Sequence, residues 1–178
     1  MTEKILPRPV KKNKRGELVA TISVNKCYKQ IIEEVFEAHE AEIRKAVVDF
    51  VQNDGCGMCV DLIDEVFCTS TELEEIVDVI TCCVTRIDIL GGTFDATPST
   101  KHFDDNVKDF FSSIAVGLMN AHFLAIEEDK ELEIRALQET INYCLWYLNK
   151  LGYTSEDIEY QYKLVNEKNA RRGYFDEA

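Results

Sequence analysis

The chain is predicted to be all-α, a bundle of about five helices, on three observations. Apolar residues recur at helical spacing through most of its 178 residues. Glycines and capping residues punctuate that periodicity, at Gly55 and Gly57, Thr71, Gly91-Gly92, Gly152 and Gly173. The only β-like alternation is the short run Leu18-Val19-Ala20-Thr21-Ile22.

Residues 1–20 read as a basic N-terminal arm, with Pro7 and Pro9 breaking any regular structure. A first long helix is expected over about 24–50, carrying the apolar stripe Cys27, Ile31, Val35, Ala38 and Ala41. Asn53-Asp54-Gly55 and Gly57 end it. The connector 51–70 contains Cys56-Gly57-Met58-Cys59 and room for a short helix at 60–67. Thr71, three residues before Glu74, is placed to cap the second long helix, which runs to Gly91-Gly92. Leu73, Ile76, Val77, Ile80, Val84 and Ile87 lie on one face of that helix, and Cys82 and Ile89 on the other, so it should be buried on both sides. A third helix follows over about 101–127, with Phe103, Val107, Phe110, Phe111, Ile114, Leu118 and Phe123 as its inward stripe. His122 belongs to that stripe as a hydrogen-bonded core residue. Leu137, Ile141, Cys144, Leu145 and Leu148 face inward on a fourth helix, about 130–151. Thr154 and Asp157 start a fifth, which continues to Arg172-Gly173. One domain, 21–174, accommodates these helices and a sizeable core.

The formal net charge is −13, with 33 acidic and 20 basic residues. Such a balance disfavours general nucleic-acid binding, which needs Lys and Arg against phosphate. The charge is uneven: residues 1–16 carry +5, so the remainder carries −18. Seven cysteines without regular spacing do not read as a disulfide framework. No segment is apolar enough to span a bilayer and no signal-peptide core opens the chain, so the expectation is a soluble cytoplasmic protein without membrane contact.

Two acidic signatures stand on the two long helices: Glu33-Glu34-Val35-Phe36-Glu37 and Glu75-Ile76-Val77-Asp78. Residues three apart share a helix face, so Glu34 with Glu37 and Glu75 with Asp78 are carboxylate pairs. Acidic pairs at this spacing are common in so acidic a chain, as Glu128/Glu131 and Glu156/Glu159 illustrate. The two chosen pairs differ because apolar stripes surround them, and carboxylates in such a setting call for a counter-charge. All-oxygen ligation suits Mg²⁺ or Mn²⁺, and Mg²⁺ commonly accompanies substrate phosphates. The fifth helix adds phosphate-capable donors in Lys163, Asn166, Lys168, Asn169 and Arg172, with Tyr174 beyond it.

These motifs resemble the MazG-like, all-α nucleoside triphosphate pyrophosphohydrolases, among them the dimeric dUTPases and dCTP pyrophosphatases. The resemblance rests on EExxE followed by ExxD and on an ending similar to K-N-x-x-N-x-x-R…G-Y, here Asn166, Asn169, Arg172 and Gly173-Tyr174. Val165 stands where that ending has its lysine, which leaves the role to Lys163 or Lys168. The resemblance implies Mg²⁺-dependent cleavage of a nucleoside triphosphate to the monophosphate and pyrophosphate. On that pattern Glu34, Glu37, Glu75 and Asp78 would be metal ligands. Glu33 would be an outer partner or base, and Glu33 and Glu34 the catalytic carboxylates. The C-terminal donors would bind substrate. The Phe- and Leu-rich third helix adds the expectation of a homodimer or a dimer of dimers. Two other readings stand beside this one: a non-catalytic interaction protein on the same fold, and a zinc or redox module built on Cys56 and Cys59.

Overall fold

The computed structural model describes residues 24–53, 71–94 and 110–171, and these form five α-helices. They are α1 (Val24–Asn53), α2 (Glu72–Ile89), α3 (Phe110–Ile126), α4 (Lys130–Lys150) and α5 (Ser155–Arg171). No strand occurs among the described residues. The all-α bundle expected from periodicity is the architecture observed. The Leu18–Ile22 alternation, the basic arm, the Cys56/Cys59 motif, the short helix at 60–67 and the start of the third helix at 101–109 lie outside the described residues.

The helix ends follow from local chemistry. Thr71 caps α2 as its spacing predicts, its side-chain oxygen accepting from the Glu74 backbone N–H at 3.2 Å. At the other end, Gly91 N–H donates to Asp88 C=O and Gly92 N–H to Ile87 C=O, both at 3.0 Å. This Schellman closure needs a left-handed residue after the cap, and Gly91 supplies it at φ 79°. The same pair of bonds ends α4: Gly152 N–H reaches Asn149 C=O and Tyr153 N–H reaches Leu148 C=O. Gly152 has φ 92°. Thr154 and Asp157 then cap α5 reciprocally, the Asp157 carboxylate accepting from both the amide and the hydroxyl of Thr154.

Helix α2 is the centre of the bundle. It packs against α1, α4 and α5, while α3 packs against α1 and α4. Its burial on both sides is therefore real: Ile76, Val77, Ile80 and Cys83 are inaccessible, and so on the other face is most of Cys82. Tyr28, Ile31, Val35 and Ala38 of α1 join the core, with Ile114 and Leu118 of α3 and Leu137, Ile141, Cys144 and Leu148 of α4. One assignment in the third-helix stripe is corrected. Phe123 is 59% exposed, because the inner face of α3 runs through Phe110, Phe111, Ile114, Leu118, Ala121 and Ala125. That row leaves Phe123 close to half a turn away from the core.

One polar network crosses this core. Arg86 of α2 makes two bonds to the Glu133 carboxylate of α4, at 2.8 and 3.2 Å, and Tyr28 of α1 donates to the same carboxylate at 2.8 Å. All three residues are buried. Burial pulls the guanidinium pKa down, but the carboxylate more than offsets it, so the net shift is upward. Burial and the neighbouring Glu133 charge raise the Tyr28 phenol. Three helices are thus tied by one charge-assisted cluster whose geometry matches a bidentate Arg–carboxylate pair.

Candidate metal centre and the α5 donors

The contact between α1 and α2 brings together the first three predicted ligands. Glu34 and Glu37 of α1 and Glu75 of α2 each offer one carboxylate oxygen, and these oxygens lie within 4.8 Å of one another. Glu75 is only 4% exposed, Glu34 is half-buried and Glu37 is exposed, so the trio forms a graded site with a deep ligand and an open rim. Two charges at 4.8 Å repel by about 1 kcal/mol in water and about 3.5 kcal/mol at the effective dielectric of a protein surface. Cys82, one turn beyond Asp78 on α2, presents its thiol 3.8 Å from Glu34 Oε1.

Asp78 is equally buried but differently engaged. Its Oδ2 lies 3.7 Å from Lys168 Nζ, and the same ammonium donates to Glu74 Oε1 at 3.2 Å. The trio of converging oxygens is Glu34, Glu37 and Glu75, and Asp78 stands at its edge facing α5. Glu33 is exposed, pairing with Lys29 one turn earlier at 3.3 Å.

The α5 donors separate by environment. Lys163 is exposed, Asn166 half-buried and Asn169 buried. The donors expected to act together thus lie at different depths of α5, Lys163 towards solvent and Asn169 in the interior. Of the two candidate lysines, Lys168 is the one that reaches α2. Asn169 is 2% exposed, and its Nδ2 donor has no hydrogen-bond partner among the described residues. Buried amide donors are rarely left so. Arg172 and Tyr174 lie outside the described residues, as do Cys56 and Cys59.

Sequence reasoning missed a second polar cluster at the far end of the α1–α2 contact. Tyr147 of α4 donates towards Glu42 (3.1 Å) and Glu72 (3.4 Å), and Lys45 stands 3.6 Å from Glu72. Burial raises the Glu72 carboxyl above its ordinary value, against the opposing pull of Lys45. Burial and the Glu42 charge raise the Tyr147 phenol, whose ring stacks on Phe110 at 3.7 Å between centroids. The signal was present in part: Glu72 and Glu75 form an i,i+3 pair at the start of an otherwise apolar helix. His122, expected as a hydrogen-bonded core residue, is hydrogen-bonded to Asn25 Oδ1 at 3.2 Å but is only half-buried, at the edge of the core. Comparison with protein-family models, with curated proteins and with solved structures finds no match to the chain.

Proposed function

We propose that the protein is a divalent-metal-dependent nucleoside triphosphate pyrophosphohydrolase, acting in the cytoplasm on a nucleotide substrate. The observation that carries this reading is the convergence of three carboxylate oxygens from two helices within 4.8 Å. The donor set fits a hard cation: it is all oxygen, triply acidic, and graded from a buried ligand to an open rim. Glu34, Glu37 and Glu75 would hold Mg²⁺, or Mn²⁺ in its place. The ion would supply an activated water and neutralise the charge that builds on the phosphates.

The protein's own residues do the rest. Glu75 is fixed by burial on a helix packed from three sides, which holds the site's geometry without substrate. Glu33, one residue before Glu34 and exposed beside Lys29, would take a proton at the solvent side. Lys168 bridges Glu74 and Asp78 in the free protein. A triphosphate competing for that ammonium would release Asp78 to join the three glutamates. Asn169, whose buried amide donor has no partner among the described residues, and Asn166 beside it would add directional bonds that a point charge lacks. The hydrolysis adds water across the α–β phosphoanhydride, giving the monophosphate and pyrophosphate.

The test is pyrophosphate release against a panel of nucleoside and deoxynucleoside triphosphates, with Mg²⁺, with Mn²⁺ and with chelator. Metal-dependent release from at least one of them is expected. Absence of release from every one, with either metal, would overturn the assignment. Tightly bound Zn²⁺ without pyrophosphate release would favour a cysteine-based module instead.

A further inference from the structure

Four cysteines lie among the described residues, all buried and none in a disulfide. Three are accounted for by their surroundings. Cys83 and Cys144 are inaccessible core residues, and burial pushes both thiols well up from their ordinary values. Cys27 is turned to the Arg86 guanidinium. Cys82 differs from these, because its thiol meets a carboxylate of the candidate metal centre. It donates across the α1–α2 contact to Glu34 Oε1 at 3.8 Å.

Helix register places the sulfur in line with the predicted ligands. Glu75, Asp78 and Cys82 follow each other at intervals of three and four residues, so they share one face of α2. All three are at most 5% exposed. Glu34 meets Cys82 and also converges with Glu37 and Glu75, which joins the sulfur to the carboxylates. In a tetrahedral zinc site a thiolate sulfur and a carboxylate oxygen stand about 3.6 Å apart. The separation of Cys82 Sγ from Glu34 Oε1 is close to that value. Asn169 adds an independent sign of an occupant. Lys168 reaches Glu74 and Asp78, which sets the next residue, Asn169, against the same turns of α2. Asn169 is 2% exposed, and its Nδ2 has no partner among the described residues. A buried amide donor of this kind calls for an acceptor oxygen, which a water or anion carried by a bound ion supplies.

We infer that Cys82 becomes a ligand of this centre when a borderline or soft divalent ion such as Zn²⁺, Co²⁺ or Cd²⁺ occupies it, sharing that ion with Glu34. The inference rests on the reading that Glu34, Glu37 and Glu75 hold a divalent cation, and it adds what decides between cations. A hard ion such as Mg²⁺ takes oxygen ligands and leaves the thiol protonated. A thiophilic ion gains the sulfur as well and so binds more tightly. Its binding is a proton exchange: the thiol releases one proton to solvent, the thiolate sulfur takes the ion, and no electron moves. The two classes of ion compete for Glu34, so a thiophilic ion would hold the centre in a form closed to Mg²⁺.

The test is a Co²⁺ titration of the full chain carrying Cys56→Ser, Cys59→Ser and Cys68→Ser, which removes the other thiol cluster. A saturable thiolate-to-Co²⁺ charge-transfer band in the near ultraviolet is expected, and excess Mg²⁺ should displace it. Adding Cys82→Ser should abolish the band, while the Mg²⁺-induced rise in Tm remains. Adding Glu34→Gln should weaken Co²⁺ binding by ~10-fold or more. Cys27→Ser, at the thiol turned to Arg86, should leave the band unchanged. Should Cys82→Ser fail to fold, Cys82→Ala keeps an apolar residue in the same position and reads the same loss. Absence of the band, or a band that survives Cys82→Ser and Cys82→Ala, would overturn the inference. Pyrophosphate release, assayed separately, distinguishes the two readings. Mg²⁺-dependent release without a Cys82-dependent band removes Cys82 and leaves the pyrophosphohydrolase standing. A Cys82-dependent band without release upholds the metal site and removes the reaction.

Discussion

Helix α2 carries two carboxylate arrangements on its flanks, and they are balanced in opposite ways. At Glu133, one buried carboxylate meets a guanidinium and a phenol, so its charge is answered within the protein. At Glu34, Glu37 and Glu75, three carboxylates are brought towards each other. Both arrangements bridge the same central helix. On the proposed reading, the first set holds the fold together and the second holds a divalent cation. A charge cluster completed by its own side chains is a strut. Where carboxylates converge, their mutual repulsion is a cost that a bound cation would offset on the proposed reading.

The strut gives the largest expected effect. Arg86→Met leaves Glu133 buried against Tyr28 alone, and breaking a buried pair from one side costs about 3–5 kcal/mol. Chemical denaturation should show a loss of that size with no Mg²⁺ dependence. Adding Glu133→Leu to Arg86→Met should recover much of it, because the orphaned charge is gone. If Arg86→Met were as stable as wild type, the network would be ornamental and the contrast with the glutamate trio would fail.

The glutamate trio should answer in the reverse sense. Glu75→Gln removes one of three repelling charges, so the metal-free protein should keep or gain thermal stability. It should lose the Mg²⁺-induced rise in Tm, because ligand stabilisation follows affinity. Turnover should fall by ~10²-fold or more, the scale of losing one stabiliser of transition-state charge. Glu34→Gln should behave alike, and Glu128→Gln, at an exposed acidic pair, should change neither quantity. A Glu75→Gln protein with full activity and an intact Mg²⁺ response would remove the trio from the mechanism.

The bundle could be read from sequence because its signals are local. Thr71, Gly91-Gly92, Gly152 and Thr154 act on their own turns, and each behaves as its chemistry dictates. The pairing of Glu34 with Glu37 was likewise fixed by helix geometry. That Glu75 would meet them was an inference from burial, and the α1–α2 packing supports it. The inward stripes of α1 and α4 were legible, but sequence could not supply the rotation of α3 and α5 about their axes. Phe123 was read inward because α3 is apolar all round, so its period cannot say which face meets the core. Lys168 and Lys163 were interchangeable for the same reason, until α5 docked with one of them against α2. The Arg86–Glu133–Tyr28 strut joins residues 47 and 105 positions apart, and no local pattern encodes such a contact.

Lys168 sharpens where the trio ends. If its ammonium serves substrate, Lys168→Met should raise KM by about tenfold, the weight of one charged phosphate contact. The Mg²⁺-induced rise in Tm should remain in that variant. Asp78→Asn, by contrast, should lose turnover and the metal response together if Asp78 joins the cluster in the loaded enzyme. An Asp78→Asn protein that behaved like Lys168→Met would confine Asp78 to the ion pair and leave the metal to three glutamates.

The smallest effect tests the far end of the same helix. Glu72 is buried beside Glu42, and burial raises its pKa in the folded protein. The sign follows from proton counting. Between the ordinary carboxyl value and the raised folded value, the native state holds a proton that the unfolded state has released. Stability therefore falls as pH rises through that window. Glu72→Gln cannot titrate, and its amide oxygen can still accept from Tyr147. It also gives up a Lys45 pair whose lysine is half exposed to water and so contributes little. The stability of the variant relative to wild type should thus increase from pH 4 towards neutrality, by about 1 kcal/mol at most. Urea denaturation at a series of pH values reads it directly. A relative stability that falls with rising pH would mean that Lys45 and Tyr147 outweigh burial, making Glu72 a second strut.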